Sequence, residues 1–492
     1  MKIKILILAF VIVHFTFIIE DCVGQWGPDV RLTNDPASSR TSYNNAWCIV
    51  SNGNAVHIVW GDERDGNSEI YYKRSTDGGV SWGTDTRLTN ASGASAAPSI
   101  SLSGSAVHVT WHDTRDGNYE IYYKHSTDGG ANWGADTRLT NASGASTNPS
   151  LSVVDSNLHI VWYDTRSGNE KIYYKHSTDG GVTWGADTQL STNSGYSYAL
   201  NPSISVSNSI VYVVWSDTRD GNPEIYYKRS TNGGTNWGID NRLTNDSGLS
   251  NNPSIAISGS VVHIVWSDTY NGSAIYYKRS TDEGTNWGEN IRLTGFVSAK
   301  GFSNIFASGP FVHVIMVDFR NVLSEIDFFE VEIYYIRSTN GGINWGPDTR
   351  LTNDSGYSGY PSVSVSGSIV HVLWMDNRDG NNEIYYKRNP TGNLTKTRNI
   401  SSEVPDKFEL GQNYPNPFNS MTNVKFKMLN AGIAKITVFD LLGREVAVLV
   451  NEKLQAGTYE VTFNSGDLSS GIYFYKLTVG SFSDTKRMIL IK

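Results

Sequence analysis

Pro98-Ser-Ile-Ser-Leu-Ser-Gly-Ser-Ala-Val-His-Val-Thr-Trp111 opens the unit that decides the fold, and His112-Asp-Thr-Arg-Asp-Gly-Asn-Tyr-Glu-Ile-Tyr-Tyr-Lys-His-Ser-Thr-Asp-Gly-Gly-Ala-Asn-Trp-Gly-Ala-Asp-Thr-Arg-Leu-Thr140 completes it. Four β-strands are read in it: Pro98 to Leu102, Val107 to Trp111, Glu120 to Lys124 and Thr137 to Thr140. Ser103-Gly-Ser turns the chain between the first two. Asp113 to Asn118 turns it again, with Asp-Gly supplying residues that tolerate positive φ, and Ser126 to Trp133 makes the last turn.

The unit recurs from about residue 26 to 389. Its second strands end at Trp60, Trp111, Trp162, Trp215, Trp266, Met316 and Trp374, with successive spacings of 51, 51, 53, 51, 50 and 58. A second series, Trp26, Trp82, Trp133, Trp184, Trp237, Trp287 and Trp345, is followed each time by glycine. Only Trp47 of the 14 tryptophans lies outside both series. Four strands in about 50 residues is the size of a propeller blade. Second strands such as Val211-Tyr-Val-Val-Trp215 are continuously apolar, so both of their faces must be covered, as a blade wedged between two neighbours requires. Trp26 to Thr33 reads as a fourth strand with no unit before it, and the unit from Pro361 to Lys387 lacks one. The expectation is an all-β chain whose seven-bladed β-propeller (25–389) closes by N-terminal strand exchange.

Six turns share one pattern: Ser75-Asp77-Gly79-Trp82, Ser126-Asp128-Gly130-Trp133, Ser177-Asp179-Gly181-Trp184, Ser230-Asn232-Gly234-Trp237, Ser280-Asp282-Gly284-Trp287 and Ser338-Asn340-Gly342-Trp345. This resembles the Asp-box, or bacterial neuraminidase repeat, of sialidases and other propellers. The resemblance implies a structural turn on the face away from a catalytic pocket. A sialidase of that family has six blades, three arginines for the sugar carboxylate, a Tyr–Glu nucleophile pair, an Asp acid/base and an early Arg-Ile-Pro element. That element is missing here, and no catalytic residue is assigned.

Candidate ligand-binding residues come from the turn between second and third strands: Asp62/Arg64, Asp113/Arg115, Asp164/Arg166, Asp217/Arg219, Asp318/Arg320 and Asp376/Arg378, with Tyr270 replacing arginine after Asp268. Two readings stand: ion pairs that brace the rim, or a ring of weak sugar sites acting by avidity. Recurrence in nearly every unit argues against a single catalytic centre. No metal and no cofactor are expected, because Asp113 to Asn118 misses the EF-hand spacing and holds an arginine at its middle. Two departures from the repeat stand out: the insert Asn321 to Glu332, a candidate partner-contact or pocket-wall loop, and the pair Tyr196/Tyr198, a second, weaker asymmetry.

The ends of the chain speak of export. Lys2 and Lys4 precede the apolar run Ile3 to Ile19, and small residues Cys22 and Gly24 suit a cut before Gln25, so 1–24 reads as a signal peptide. Only Cys48 then remains, so no internal disulfide is expected. Residues 390–406 read as a linker. After it, Gln412-Asn-Tyr-Pro-Asn-Pro-Phe418, Asp440-Leu-Leu-Gly-Arg444, Gly457-Thr-Tyr459 and Leu468-Ser-Ser-Gly-Ile-Tyr473 resemble the type A C-terminal sorting domain of the type IX secretion system. That resemblance implies an immunoglobulin-like β-sandwich over 407–492, read by an outer-membrane translocon, and an address at the outer cell surface or beyond, reached through the periplasm. Net charge is −8, while 407–492 holds ten Lys/Arg against seven Asp/Glu. An acidic body is a poor partner for nucleic acid. The expected role is a glycan- or protein-binding module with no transmembrane segment after signal removal; the alternative is a sialidase-like exo-glycoside hydrolase.

Overall fold

The computed structural model describes residues 26–43, 47–192, 199–270, 272–295, 301–320, 331–390, 392, 397–419, 421–465 and 468–491. Among them there is no helix, and nine antiparallel sheets account for the strands. The insert and the Tyr196/Tyr198 pair named above fall outside the described residues, apart from Val331 and Glu332.

Seven sheets come from the repeat. The second is typical: Ser95–Ser103, Ala106–Asp113, Glu120–Ser126 and Thr137–Arg138 pair in that order. Its fourth strand is shorter than the sequence suggested because side chains replace the ladder. Leu139 N–H still donates to Ile121 O at 2.7 Å, but Ile121 N–H then turns to the Thr140 hydroxyl at 2.8 Å. The first strand carries a bulge between Ala96 and Ser99, where Pro98 has no N–H to give and Ala97 takes a φ of +50°.

The first strands touch their neighbours in chain order, and that of the seventh sheet, Ser358–Ser366, touches that of the first, Ile49–Asn52. Cys48 N–H reaches the Ser362 hydroxyl across this junction at 3.1 Å. Cys48 is fully enclosed, and burial pushes its thiol up to about 12, so it behaves as a small apolar side chain. The seventh sheet takes its outer strand from the far end of the chain: Val30 pairs with Tyr386 and Arg31 with Tyr385, antiparallel. Trp60, Trp111, Trp162, Trp215, Trp266 and Trp374 are fully buried between sheets.

The remaining two sheets lie beyond residue 397. One orders Arg398–Ser401, Gly457–Asn464, Met421–Met428 and Glu409–Leu410; the other orders Glu445–Leu454, Gly432–Phe439, Gly471–Val479 and Phe482–Leu490. Val424, Phe426, Ile436, Val438, Tyr475 and Met488 share one core. Two features were not expected. The strand Glu445–Leu454 follows directly on the Asp440 turn, and the polar stretch read as a linker contributes the edge strand Arg398–Ser401, whose Asn399 pairs with Tyr459.

Candidate functional site

The Asp-x-Arg turns form buried charge ladders. Asp113 is fully buried, and its carboxylate accepts from the Ser95 hydroxyl at 2.7 Å, Trp111 Nε1 at 3.0 Å and Arg115 N at 2.9 Å, while Arg115 Nη2 lies 2.6 Å away. Burial alone would raise this carboxyl; the donors from Arg115 and Ser95 outweigh it and hold the group below its ordinary range. The guanidinium sits 4.4 Å above the Tyr122 ring and passes on to Asp136 at 2.7 Å. Asp136 in turn holds Lys124 at 2.8 Å, and Lys124 donates to the Leu88 carbonyl of the preceding sheet.

The same ladder runs from Asp62 through Arg64, Asp85 and Lys73, from Asp164 through Arg166, Asp187 and Lys175, and from Asp217 through Arg219, Asp240 and Lys228. In the seventh sheet, Asp376 and Arg378 end on Asp29 of the N-terminal strand, which also holds Lys387 at 2.7 Å. Asp318 and Arg320 reach Asp348, where Ile336 stands in the lysine position. All twelve residues lie where the second strand turns into the third, at one end of the sheets. Their carboxylates, however, are engaged inward, and the arginine side chains are only 17% to 28% exposed.

At the opposite end lie the Asp-box turns. Asp128 accepts from Ala131 N and Asn132 N at 3.0 and 2.8 Å, and the Asn132 amide bonds hold its carboxyl below the ordinary range. Trp133 packs edge-on against Tyr72 of the preceding sheet, ring centres 4.9 Å apart. The same contact recurs in Trp82–Tyr386, Trp184–Tyr123, Trp237–Tyr174, Trp287–Tyr227 and Trp345–Tyr277, and the N-terminal Trp26 meets Tyr335. The Trp82–Tyr386 contact joins the first sheet to the seventh, so the boxes lock each sheet to its predecessor around the whole array.

Sequence reasoning missed an asymmetric feature on the Asp-x-Arg face. Ser38, Arg40, Thr41, Tyr43, Gly61 and Glu63, with Ala97, line a groove between the first and second sheets. Arg40 Nη1 and Glu63 Oε1 are 2.9 Å apart and both side chains are about 40% exposed (39% and 43%). Tyr43 meets Tyr360 edge-to-face at 4.7 Å, and Tyr360 meets Phe302 at 4.6 Å. Phe302 borders a second groove between the fifth and sixth sheets, lined also by Asn251, Asn252, Ser267 and Thr269. The signal was available as variation within the repeat: Gly61 stands where other units carry His112, Tyr163, Ser216, Ser267, Val317 or Met375. Among the described residues no group of three His, Cys, Asp or Glu is placed to hold a metal ion, and no helix is long and apolar enough to cross a membrane.

Comparison with known proteins bears on both parts of the chain. The BNR repeat-like domain family matches residues 9–209, and the secretion system C-terminal sorting domain family matches 412–492. The chain thus carries a BNR repeat-like region and a type IX C-terminal sorting domain. The sorting domain directs this propeller to the cell surface or outside, and it implies contact with the secretion machinery. No curated protein matches the chain. Among solved structures, the polysaccharide lyase Uly1 superposes with a TM-score of 0.51 at 10% identity, covering 74% of this propeller chain and 99% of the lyase. A polysaccharide lyase PL25 ulvan lyase bound to -[GlcA(1-4)Rha3S]- gives 0.50 at 10% identity, over 73% and 95%. The Trypanosoma rangeli sialidase gives 0.44 at 12% identity, over 82% and 85%. The lyase likenesses bear on the fold.

Proposed function

We propose that this exported protein is a glycan-binding module: a seven-bladed propeller over 25–389, following a signal peptide at 1–24 and followed by an immunoglobulin-like sandwich that the translocon reads, built on 407–492 with the edge strand Arg398–Ser401 added from the 390–406 stretch. The seven sheets in cyclic contact and the borrowed outer strand of the last one support this architecture. The ligand-facing end is the one bearing the Asp-x-Arg turns. There, Asp62/Arg64, Asp113/Arg115, Asp164/Arg166, Asp217/Arg219, Asp318/Arg320 and Asp376/Arg378 brace the face, and the residues that depart from the repeat meet the ligand.

The observation that carries binding over hydrolysis is the double clamp on each recurring arginine. Arg115 lies between Asp113 at 2.6 Å and Asp136 at 2.7 Å, and Arg166 between Asp164 and Asp187, both at 2.6 Å. A guanidinium so neutralised is a poor seat for a substrate carboxylate. The solved lyases of like fold act on polysaccharides by their names, which agrees with a glycan as ligand. A sialidase-like exo-glycosidase is the second reading, favoured by the convergence of Arg40, Tyr43 and Glu63 at one groove. A glycan array together with a fluorogenic sialoside assay on the full chain separates the two. Array binding without turnover is the expected result; turnover abolished by Arg40→Ala, Tyr43→Phe or Glu63→Gln would establish the hydrolase instead.

A further inference from the structure

We infer that the glycan is an uncharged polysaccharide, gripped in mid-chain along an aromatic shelf that joins the groove at Tyr43 to the groove at Phe302. The inference rests on the glycan-binding reading above and names its substrate class and residues.

Three observations converge. First, the groove between the first and second sheets exists because the repeat is broken there. Gly61 is the smallest residue at a position that varies from Ser216, Ser267 and Val317 to His112, Tyr163 and Met375, and Ala97 occupies the bulge position held elsewhere by Asn148, Asn201, Asn252 or Tyr360. A Cβ added at Gly61 would meet nothing nearer than Ser68 Oγ at 3.4 Å, so the space is not demanded by backbone packing.

Second, the lining is that of a sugar site. Tyr43, 38% exposed, offers apolar ring surface and Ser38 a hydroxyl, while the Thr41 and Ser68 hydroxyls donate to the Tyr360 and Ser95 carbonyls and present only acceptor lone pairs. Among the described residues, the ionic groups bordering it, Arg40 and Glu63, neutralise each other at 2.9 Å. Such a groove has hydrogen-bond capacity for hydroxyls but no net charge to give a carboxylate or sulfate.

Third, two grooves are connected. Tyr43, Tyr360 and Phe302 form a continuous run of ring contacts from the first sheet across the seventh to the sixth, and Phe302 is itself a wall of the second groove. The second groove is likewise a departure, since Tyr270 replaces the arginine that every other described unit carries. Its charged lining residue, Asp268, is 2% exposed and accepts from the Ser250 hydroxyl, Trp266 Nε1 and Tyr270 N, and a carboxylate there disfavours an anionic polymer. A terminal monosaccharide would use one groove; two grooves linked by ring contacts suit an internal stretch of chain.

The test uses the full chain in affinity electrophoresis against three neutral polymers, hydroxyethyl cellulose, galactomannan and arabinoxylan, and two anionic ones, alginate and chondroitin sulfate. At least one neutral polymer should retard the protein, with a dissociation constant insensitive to added salt. Tyr43→Ala should weaken that binding about tenfold. Gly61→Met should do the same by filling the groove with the side chain that Met375 carries at the equivalent place, while the thermal unfolding midpoint stays near that of the parent. Glu63→Gln frees Arg40 and should create salt-sensitive binding to alginate. Salt-sensitive binding to anionic polymers alone, unchanged by Tyr43→Ala and Gly61→Met, would overturn the inference and leave the glycan-binding reading standing. Retardation by none of the five polymers, with a blank glycan array, would sink both.

Discussion

At the scale of single residues, the Asp-box glycine shows how little freedom this interface has. Gly130 has a φ of +79°, and a Cβ there would lie 1.9 Å from the Tyr72 hydroxyl oxygen of the preceding sheet. Gly130→Ala should therefore cost about 2–4 kcal/mol, from steric overlap added to backbone strain. Gly129→Ala, also at positive φ but facing nothing nearer than the Arg74 guanidinium at 3.8 Å, should cost only the strain, about 1 kcal/mol. Chemical denaturation of the two variants makes the comparison. The Ser-Asp-Gly-Trp spacing was enough to recognise the turn. It gave no hint that its partner is Tyr72, 58 residues earlier than Gly130, because that contact crosses between sheets rather than along the chain.

At the scale of strands and sheets, closure concentrates at one seam. Residues 26–33 supply the outer strand of the seventh sheet, the Asp29 that anchors Arg378 and Lys387, the Arg31 that meets Glu383 at 2.7 Å, and the Trp26 ring on Tyr335. A chain lacking 26–33 leaves Glu383, fully buried, without its cation and without the Thr33 hydroxyl at 2.5 Å. The expected loss is on the order of 5 kcal/mol, measured as a fall in the denaturant midpoint. The four strands of a repeat and the pairing of residues 30–31 with 385–386 were legible because apolar periodicity and an orphan half-unit are written locally. The charge ladders were only half legible: Asp113 and Arg115 are visibly adjacent, but Asp136, Lys124 and the Leu88 carbonyl join them only in three dimensions. The aromatic shelf was hidden for the opposite reason, since attention to the repeat directs the eye away from positions such as Gly61 and Tyr43 that break it.

At the scale of the whole molecule, the repeat buries a circle of imidazoles. His57, His108, His159, His263 and His371 each lie within 2.6–2.7 Å of a tyrosine hydroxyl through Nδ1, and burial lowers each to between about 3 and about 4. The folded state thus holds them neutral, whereas an unfolded histidine protonates near its ordinary value of 6.5. Below that point the unfolded chain binds more protons than the folded one, so stability is full above about pH 6.5 and declines as pH falls towards 4. The carboxylates held below 3.8, such as Asp62 and Asp164, weaken the fold only under more acid conditions. Thermal unfolding followed from pH 7 to pH 4 should show the midpoint falling steadily. His108→Tyr, which copies the Tyr212 of the fourth repeat, should flatten that slope by one imidazole's share.

The borrowed outer strand also sets a timetable. Ribosomes make residues 26–33 first and their partner Glu383–Asn389 some 350 residues later, so the earliest segment of the body waits unpaired while the rest is synthesised. A naked strand edge in that interval invites association with other chains. Pro28, Asp29 and Arg31 are the sort of gatekeepers that keep such an edge soluble, and two of the three become ion-pair partners once the circle is complete.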